Sequence, residues 1–327
     1  MSMIAELIQE LKKEKKVYIQ AHNFPDHDAV AAAFGLQTLL AHFQIESQII
    51  YDGAIERYSL IQTIESLKID MSGHKKINLT FNDKIIIVDG CKGNKNVSEL
   101  DGEEIAVIDH HLVKHPENVC FVDIRPDYGS CSTIIYSYFK ELNIPIPKNT
   151  ATAFLIGIKT DTASFTRGVH PKDLEAFSEI YYLADKELAN FILRNYIEMQ
   201  DLDFYHYAVE NFKTYRKFFF LFFPQGCSTN LMGILGDFFL SLKEINFVVI
   251  CAKNQTKINL SLRSEKTEWN ASAVIQKILA GIGFGGGHCE MAGGIIEKIE
   301  NFNPDILFEE VKKMLYTDYS AEKSDGK

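Results

Sequence analysis

Four stretches of the chain carry residue types that bind metals or move protons: His22-x3-Asp26-x-Asp28, Asp89, Asp109-His110-His111 and Asp161. Hard divalent cations take carboxylate and water oxygens, and imidazole shifts the preference towards Mn, Fe, Co or Zn. The clusters contain no cysteine, so the set suits a pair of metals with mixed oxygen and nitrogen ligands better than a structural zinc site. Two metals about 3.5–4 Å apart activate a water and clamp the attacking and leaving oxygens of a phosphoryl group. Such spacing needs a bridging carboxylate, which a lone aspartate such as Asp89 could supply. A remaining histidine could contact the phosphate or protonate the leaving oxygen. Taken alone, the first stretch reads as a turn through Pro25 with Asp26 and Asp28 capping a helix. Four clusters together exceed what capping requires.

The elements that must position these residues alternate from residue 17 to about 166. Val17–Ala21, Ser47–Tyr51, Lys84–Val88 and 105–108 are continuous and rich in β-branched residues, as strands covered on both faces are. Helical patterns fall at 29–43, 58–64 and 132–142. This rhythm predicts an α/β fold, a mostly parallel sheet with helices on both faces. Ligands of such sheets bind beyond the carboxyl ends of the strands. His22, Asp89 and Asp109-His110-His111 all fall there. Asp161 closes the run 150–159, whose pattern fits helix and strand alike.

Residues 171–216 show no strand pattern. Apolar residues recur at helical spacing through Leu174, Phe177, Ile180, Tyr181 and Ala184, and again through Phe204, Tyr207, Ala208 and Phe212. The expected division is a metal-binding domain over 1–190, a helical connector over 191–216 and a smaller α/β domain with a mixed sheet over 217–327. In the last, Phe218–Phe223, 247–252, 257–263 and 294–299 read as strands, and 228–242, 271–279 and 305–315 as helices. Consecutive glycines let backbone N–H groups approach an anion closely. Gly285, Gly286, Gly287 and His288 therefore form a candidate anion-binding loop, though most glycine-rich loops are only turns. Arg263 reads as a phosphate ligand or as an exposed strand charge. Arg125, Arg167 and Lys159 read as surface charges, and residues 318–327 as a fraying tail.

Composition limits the partners. The chain of 327 residues is 46% hydrophobic and 24% charged, with 34 Lys+Arg against 44 Asp+Glu and a formal net charge of -10. A broad basic groove for long duplex nucleic acid is disfavoured on that balance, while a local pocket for one or two phosphates stays open. The six cysteines are scattered with no C-x-x-C pair, the pattern of reduced thiols in a cytoplasmic protein. The N-terminus is an amphipathic helix pattern, not a signal peptide. The apolar run Phe218–Phe223 stops at Pro224 and is too short to span a bilayer, so no membrane partner is expected.

Asp109-His110-His111 resembles the signature of the DHH phosphoesterase superfamily. HNFPDHDA (22–29), IIIVDG (85–90) and GIKTDTASF (157–165) resemble its other motifs, in the right order. GGGHCEMAGG (285–294), preceded by Leu260-Ser-Leu-Arg263-Ser264, resembles the DHH-associated C-terminal domain. The chain is most similar to the nano-RNase and pAp-phosphatase-like group, which includes cyclic-dinucleotide phosphodiesterases. That resemblance implies two divalent ions, most often manganese, and hydrolysis of very short oligonucleotides or dinucleotides such as pApA or cyclic di-AMP to mononucleotides. It implies that His22 and Asp26 hold one ion, that Asp28, His110 and Asp161 hold the other, and that Asp89 bridges. Asp109 would orient His110, and His111 would face the phosphate as the catalytic residue. The substrate phosphate would lie between the domains, gripped by Arg263, with 285–288 holding the far end of the nucleotide.

Two positions depart from the family's pattern. His27, a bulky and titratable residue, stands where Gly or Ala is commoner and could crowd the metal mouth or contact substrate. Gly90 follows Asp89 where a small hydroxyl or thiol residue is commoner. The alternative among hydrolases is a pAp-type 3′-phosphatase. Outside them it is a catalytically silent nucleotide sensor, which the intact ligand set disfavours. A RecJ-like processive exonuclease is disfavoured by the acidic charge, and a family II pyrophosphatase by the GGGH stretch. A homodimer is compatible with the resemblance. Efficiency is expected to fall on strands longer than about five nucleotides, from the reach of a single cleft.

Overall fold

The computed structural model describes residues 3–94 and 96–317, which form two compact units, Met1–Tyr196 and Ile197–Lys327. In the first, α1 (Met3–Leu11) leads into β1 (Val17–Ala21), α2 (His27–His42), β2 (Ser47–Tyr51), α3 (Tyr58–Leu67) and β3 (Met71–Gly73). Three strands follow, β4 (Lys84–Val88), β5 (Glu103–Asp109) and β6 (Phe121–Ile124), and then four helices. These are α4 (Cys131–Glu141), α5 (Lys148–Asp161), α6 (Pro171–Leu183) and α7 (Lys186–Arg194). The strands form one parallel sheet in the order β3-β2-β1-β4-β5-β6. The parallel α/β architecture read from the sequence is therefore present. The short edge strands β3 and β6, too brief to leave a periodic signal, complete it.

One detail differs from the expected layering. Val17, Ile19, Ile49, Ile86, Val88, Ala106 and Ile108 share one hydrophobic cluster with buried residues of all seven helices. On the opposite face Tyr18, Ile50, Ile85, Ile87 and Val107 are covered by Cys91 and Val97, with Ile77, Leu79, Leu100, Val113 and Val119 around them. Those residues come from the connections between strands, not from helices. Right-handed crossovers put the connections on either side of β1 on opposite faces. The connections that follow β3, β4 and β5 carry no α-helix. The helix α5 settles the ambiguous run 150–159, and it lies against α2.

The second unit holds α8 (Leu202–Asn211), β7 (Lys213–Tyr215), β8 (Phe218–Phe223), α9 (Thr229–Leu240), β9 (Phe247–Asn254) and β10 (Lys257–Ser264). It continues with α10 (Ala271–Ile278), β11 (Gly283–Gly287), β12 (Met291–Ile296) and α11 (Pro304–Thr317). Its mixed sheet runs β11-β12-β10-β9-β8-β7, with β8 and β9 parallel and the other pairs antiparallel. The phenylalanine run of β8 is apolar throughout because both faces are covered. Phe218 and Phe220 pack with α10 and α11 residues, whereas Phe219, Leu221 and Phe223 pack with α9 and Ala208 of α8. Helix α8, expected in a connector, thus belongs to this unit's core. Among the described residues no helix is long and apolar enough to cross a membrane. The tail at 318–327 lies outside the described residues.

Candidate metal centre

The strand order reverses between β1 and β4, and such switch points open a crevice at the carboxyl ends of the strands. His22 follows β1 directly, Asp89 follows β4, and Asp109 ends β5 with His110 and His111 next. Asp26 is the N-cap of α2, its Oδ1 accepting from the amides of Asp28 at 2.9 Å and Ala29 at 3.0 Å. Asp161 is the last residue of α5. Several of these turns hold non-glycine residues in the left-handed region: Phe24 (φ 55), Asp89 (φ 55) and the consecutive Ala163, Ser164 and Phe165 (φ 46, 56 and 68). Each costs of order 1–3 kcal/mol, and such strain gathers where surrounding structure over-determines a site.

The side chains converge. His22, Asp26 and Asp89 each offer a ligand atom within 4.8 Å of the others, and so do Asp28, His110 and Asp161, and Asp89, His110 and His111. Asp89 divides its oxygens: Oδ2 lies 3.6 Å from Nε2 of His22, and Oδ1 lies 3.3 Å from Nε2 of His110. Nε2 of His110 is also 3.1 Å from Oδ2 of Asp161, and Nε2 of His22 is 3.9 Å from Oδ1 of Asp26.

The donor chemistry fits metal ions. Nδ1 of His22 donates to the carbonyl of Asn23 at 2.9 Å, and Nδ1 of His110 donates to the carbonyl of Tyr128 at 3.0 Å. A proton fixed on Nδ1 leaves the Nε2 lone pair aimed at carboxylate oxygens, a repulsive arrangement unless a cation lies between them. Without metal, a proton is the substitute cation. Burial opposes charge on His110, yet the contacts with Asp161 and Asp89 hold its pKa well above the ordinary histidine value. Asp28 is 1% exposed, and burial, followed by the Asp89 and Asp161 charges, holds its carboxyl well above the usual range.

One role implied by the resemblance changes in detail, and the open reading of His27 is resolved. Asp109 is paired with His111, its Oδ1 lying 2.7 Å from Nδ1 of that ring and accepting the His111 amide at 3.2 Å. The carbonyl of Tyr128, not Asp109, makes the hydrogen bond that orients His110. Burial opposes the His111 charge, but the Asp109 hydrogen bond and Asp89 raise its pKa to about 9. His27 does not crowd a mouth. It is 1% exposed, and burial and then Arg57 outweigh Asp26 and pull its pKa down to about 3, so the ring is a neutral interior group.

Several positioning residues carry no local signal. The Asp28 carboxylate accepts from the amides of Cys131 at 2.6 Å and Ser132 at 3.0 Å, so the first turn of α4 holds it. Asp173, fully buried, accepts from the amides of Gly129 and His170, both at 2.8 Å, and from the hydroxyl of Thr133. It thereby pins the segment that presents both the Tyr128 carbonyl and the α4 amides. Arg125, read as a surface charge, makes a two-pronged contact with Asp123 at 2.8 and 2.7 Å and reaches Ser137. Its guanidinium also lies over the Tyr128 ring. Gly157 sits where a Cβ would come 2.6 Å from Oγ of Ser132 and 3.0 Å from Oδ1 of Asp28. Only a glycine lets α5 approach the carboxylate that closely.

In the second unit the stretch expected as a loop, Gly285, Gly286 and Gly287, belongs to the edge strand β11, and His288 begins the turn to β12. The glycines serve packing first. A Cβ on Gly285 would fall 2.9 Å from the Gly293 carbonyl and from a Leu279 methyl. Gly286 has open space above it. Arg263 is not an exposed strand charge. Its Nε donates to Asp237 at 2.7 Å, and the side chain crosses α9 where Gly233 and Gly236 leave room.

Both units are similar to known protein families. The DHH family, N-terminal domain, matches residues 16–158, and the DHHA1 domain matches residues 216–315. An uncharacterised protein of Methanocaldococcus jannaschii is 27% identical over 284 residues, covering 86% of this chain and 58% of that protein. A probable manganese-dependent inorganic pyrophosphatase of Streptococcus thermophilus is 27% identical over 185 residues, covering 54% of this chain and 58% of its own. The chain thus spans little more than half the length of either relative. The crystal structure of an exopolyphosphatase-related protein from Bacteroides fragilis shares the fold, with a TM-score of 0.78 at 20% identity over 95% of this chain and 96% of that one.

Proposed function

The chain belongs to the DHH superfamily of phosphoesterases, with a DHHA1 domain following the DHH domain, and from that premise we propose a manganese-dependent hydrolase of very short oligonucleotides or cyclic dinucleotides. One observation carries the reading: the two oxygens of Asp89 face two separate ligand groups, as a bridging carboxylate must. In this proposal His22 and Asp26 hold one ion, Asp28, His110 and Asp161 hold the second, and Asp89 is shared. The ions, when bound, supply Lewis acidity at the phosphoryl oxygens and acidify a water. The chain's own groups do the rest. The carbonyls of Asn23 and Tyr128 keep the protons of His22 and His110 on Nδ1, so that Nε2 stays a ligand. Asp109 holds His111 in one orientation through its bond to Nδ1, which suits delivery of a proton to the leaving oxygen. Arg263, Gly285, Gly286, Gly287 and His288 are proposed as the nucleotide-binding residues of the DHHA1 unit.

Manganese is chosen because the donor set mixes imidazole with carboxylate and because a relative over half the chain is named for that metal. The test is a substrate panel. Metal-stripped protein is reloaded with Mn²⁺ and offered pApA, cyclic di-AMP, pAp, inorganic pyrophosphate and a 20-mer RNA, and products are resolved by chromatography. Release of mononucleotides from pApA or cyclic di-AMP, with slow attack on the 20-mer, is the expected result. Turnover of pAp alone would make it a 3′-phosphatase, and turnover of pyrophosphate alone would overturn the nucleotide reading.

A further inference from the structure

Phe24 lies inside the first ligand stretch, two residues from His22 and two from Asp26, so its Cα is within about 7.6 Å of each. Its side chain is 67% exposed. Isolated surface hydrophobics are ordinary, and Phe81 and Met199 are more exposed still. What distinguishes Phe24 is how it is held. The residue adopts a left-handed backbone conformation (φ 55), and its amide donates to the carbonyl of Asp52 at 2.8 Å. Next to it the Asn23 amide donates to the Asn96 carbonyl at 2.7 Å, and the Asn23 side-chain oxygen accepts from Ser98 at 3.1 Å. Ser98 in turn donates to the carboxylate of Asp52. Three loops are thus locked together around the Phe24 backbone.

The ring itself rests on Gly53. A Cβ there would fall 2.6–2.8 Å from Cδ1, Cε1 and Cγ of Phe24, and Gly53 has a φ of 83 that favours glycine for a second reason. One side of the ring is therefore supported by backbone while much of the rest stays open to solvent. A rigid, half-supported aromatic surface beside candidate phosphate chemistry is what sequence-tolerant base stacking requires.

Resting on the nucleotide reading above, we propose that Phe24 is the stacking platform for a base of the substrate, so that the centre favours nucleotides over phosphate chains that carry no ring. A pyrophosphate or polyphosphate has nothing to place on this surface.

The experiment uses the full chain loaded with Mn²⁺ and two readouts. In the first, Phe24→Ala and Phe24→Tyr are compared on pApA and on an analogue with the same ribose–phosphate backbone lacking both bases. Phe24→Ala is expected to raise KM for pApA roughly 5- to 140-fold, the range of one lost base stack. KM for the abasic analogue should stay put, and Phe24→Tyr should restore the wild-type value. In the second, Phe24→Trp places a fluorophore on the platform of a chain whose native tryptophan is Trp269. After subtraction of the wild-type signal, AMP should quench its emission and ribose 5-phosphate should not. Equal KM changes on both substrates, or equal quenching by both ligands, would overturn the proposal. Quenching by AMP without hydrolysis of any panel substrate would leave the platform standing and sink the hydrolase reading. Cleavage of pApA with an unchanged KM in Phe24→Ala would do the reverse.

Discussion

Gly157→Ala adds one methyl group at the point where α5 meets the Asp28 carboxylate. The new Cβ would stand 2.6 Å from Oγ of Ser132, 3.0 Å from Cβ of Ala31 and 3.0 Å from Oδ1 of Asp28. The last two are about 0.5 Å inside ordinary contact. Removing a glycine from a helix interior gains about 1 kcal/mol, and overpacking costs about 1–3 kcal/mol. The net is a loss of about 0–2 kcal/mol, or up to about 8 °C in Tm for a unit of this size. The functional effect should be larger than that suggests. Asp28 is tied to the amides of Cys131 and Ser132, so it can yield only by shifting with α4 or by losing those bonds. Misplacing a reacting constellation by 1 Å can cost about 100-fold in rate, so a half-ångström shift should cost about 10-fold. Melting curves with and without Mn²⁺, metal content by elemental analysis, and kcat on the best substrate test this together. A raised Tm with unchanged metal content and kcat would show that the methyl is accommodated without moving Asp28, and the reasoning would fail.

Other perturbations separate the parts of the centre. Asp89→Ala should abolish binding of both ions, whereas Asp26→Ala should spare one; near-normal metal content and rate in Asp89→Ala would refute a shared carboxylate. His111→Ala should lower kcat by roughly two to four orders of magnitude if that ring gives a proton to the leaving oxygen, and Asp109→Asn should lower kcat while leaving metal content near normal; wild-type kcat in both would remove the pair from the mechanism. Asp173→Ala strips hydrogen bonds from Gly129, His170 and Thr133 and should cost roughly 3–5 kcal/mol together with metal affinity, measured by melting and titration. The pH dependence follows from histidine pKa values raised in the metal-free fold. Proton-linked stability from His110 and His111 is fully present below the ordinary histidine value and is lost as pH rises through the raised values, about 9 for His111. Because metal must displace the His110 proton, Mn²⁺ affinity should rise with pH above the ordinary histidine range, and calorimetry showing no proton release would contradict this.

The sequence by itself determined where the chemistry would gather. Continuous β-branched runs announce buried parallel strands, and ligands bind beyond their carboxyl ends, so His22, Asp89 and Asp109-His110-His111 belong to one crevice on sequence pattern alone. Capping preference likewise placed Asp26 at the head of α2. These are local signals, carried by one residue's side-chain chemistry or by period. What holds the ligands is not local. The amides of Cys131 and Ser132 that grip Asp28 lie 103 and 104 residues away, and Asp173 reaches 44 residues back to Gly129. Backbone carbonyls such as that of Tyr128 have no residue-type signature at all. The choice of His111 over His110 as the partner of Asp109 depends on how the chain turns after β5, which three letters cannot encode. Periodicity also missed β11, because glycines show no alternation; only pairing with β12 makes that run a strand. Tertiary structure decided whether Gly157, Gly233 and Gly236 were spacers or contacts, since a missing side chain acquires meaning only from the atom that occupies its place.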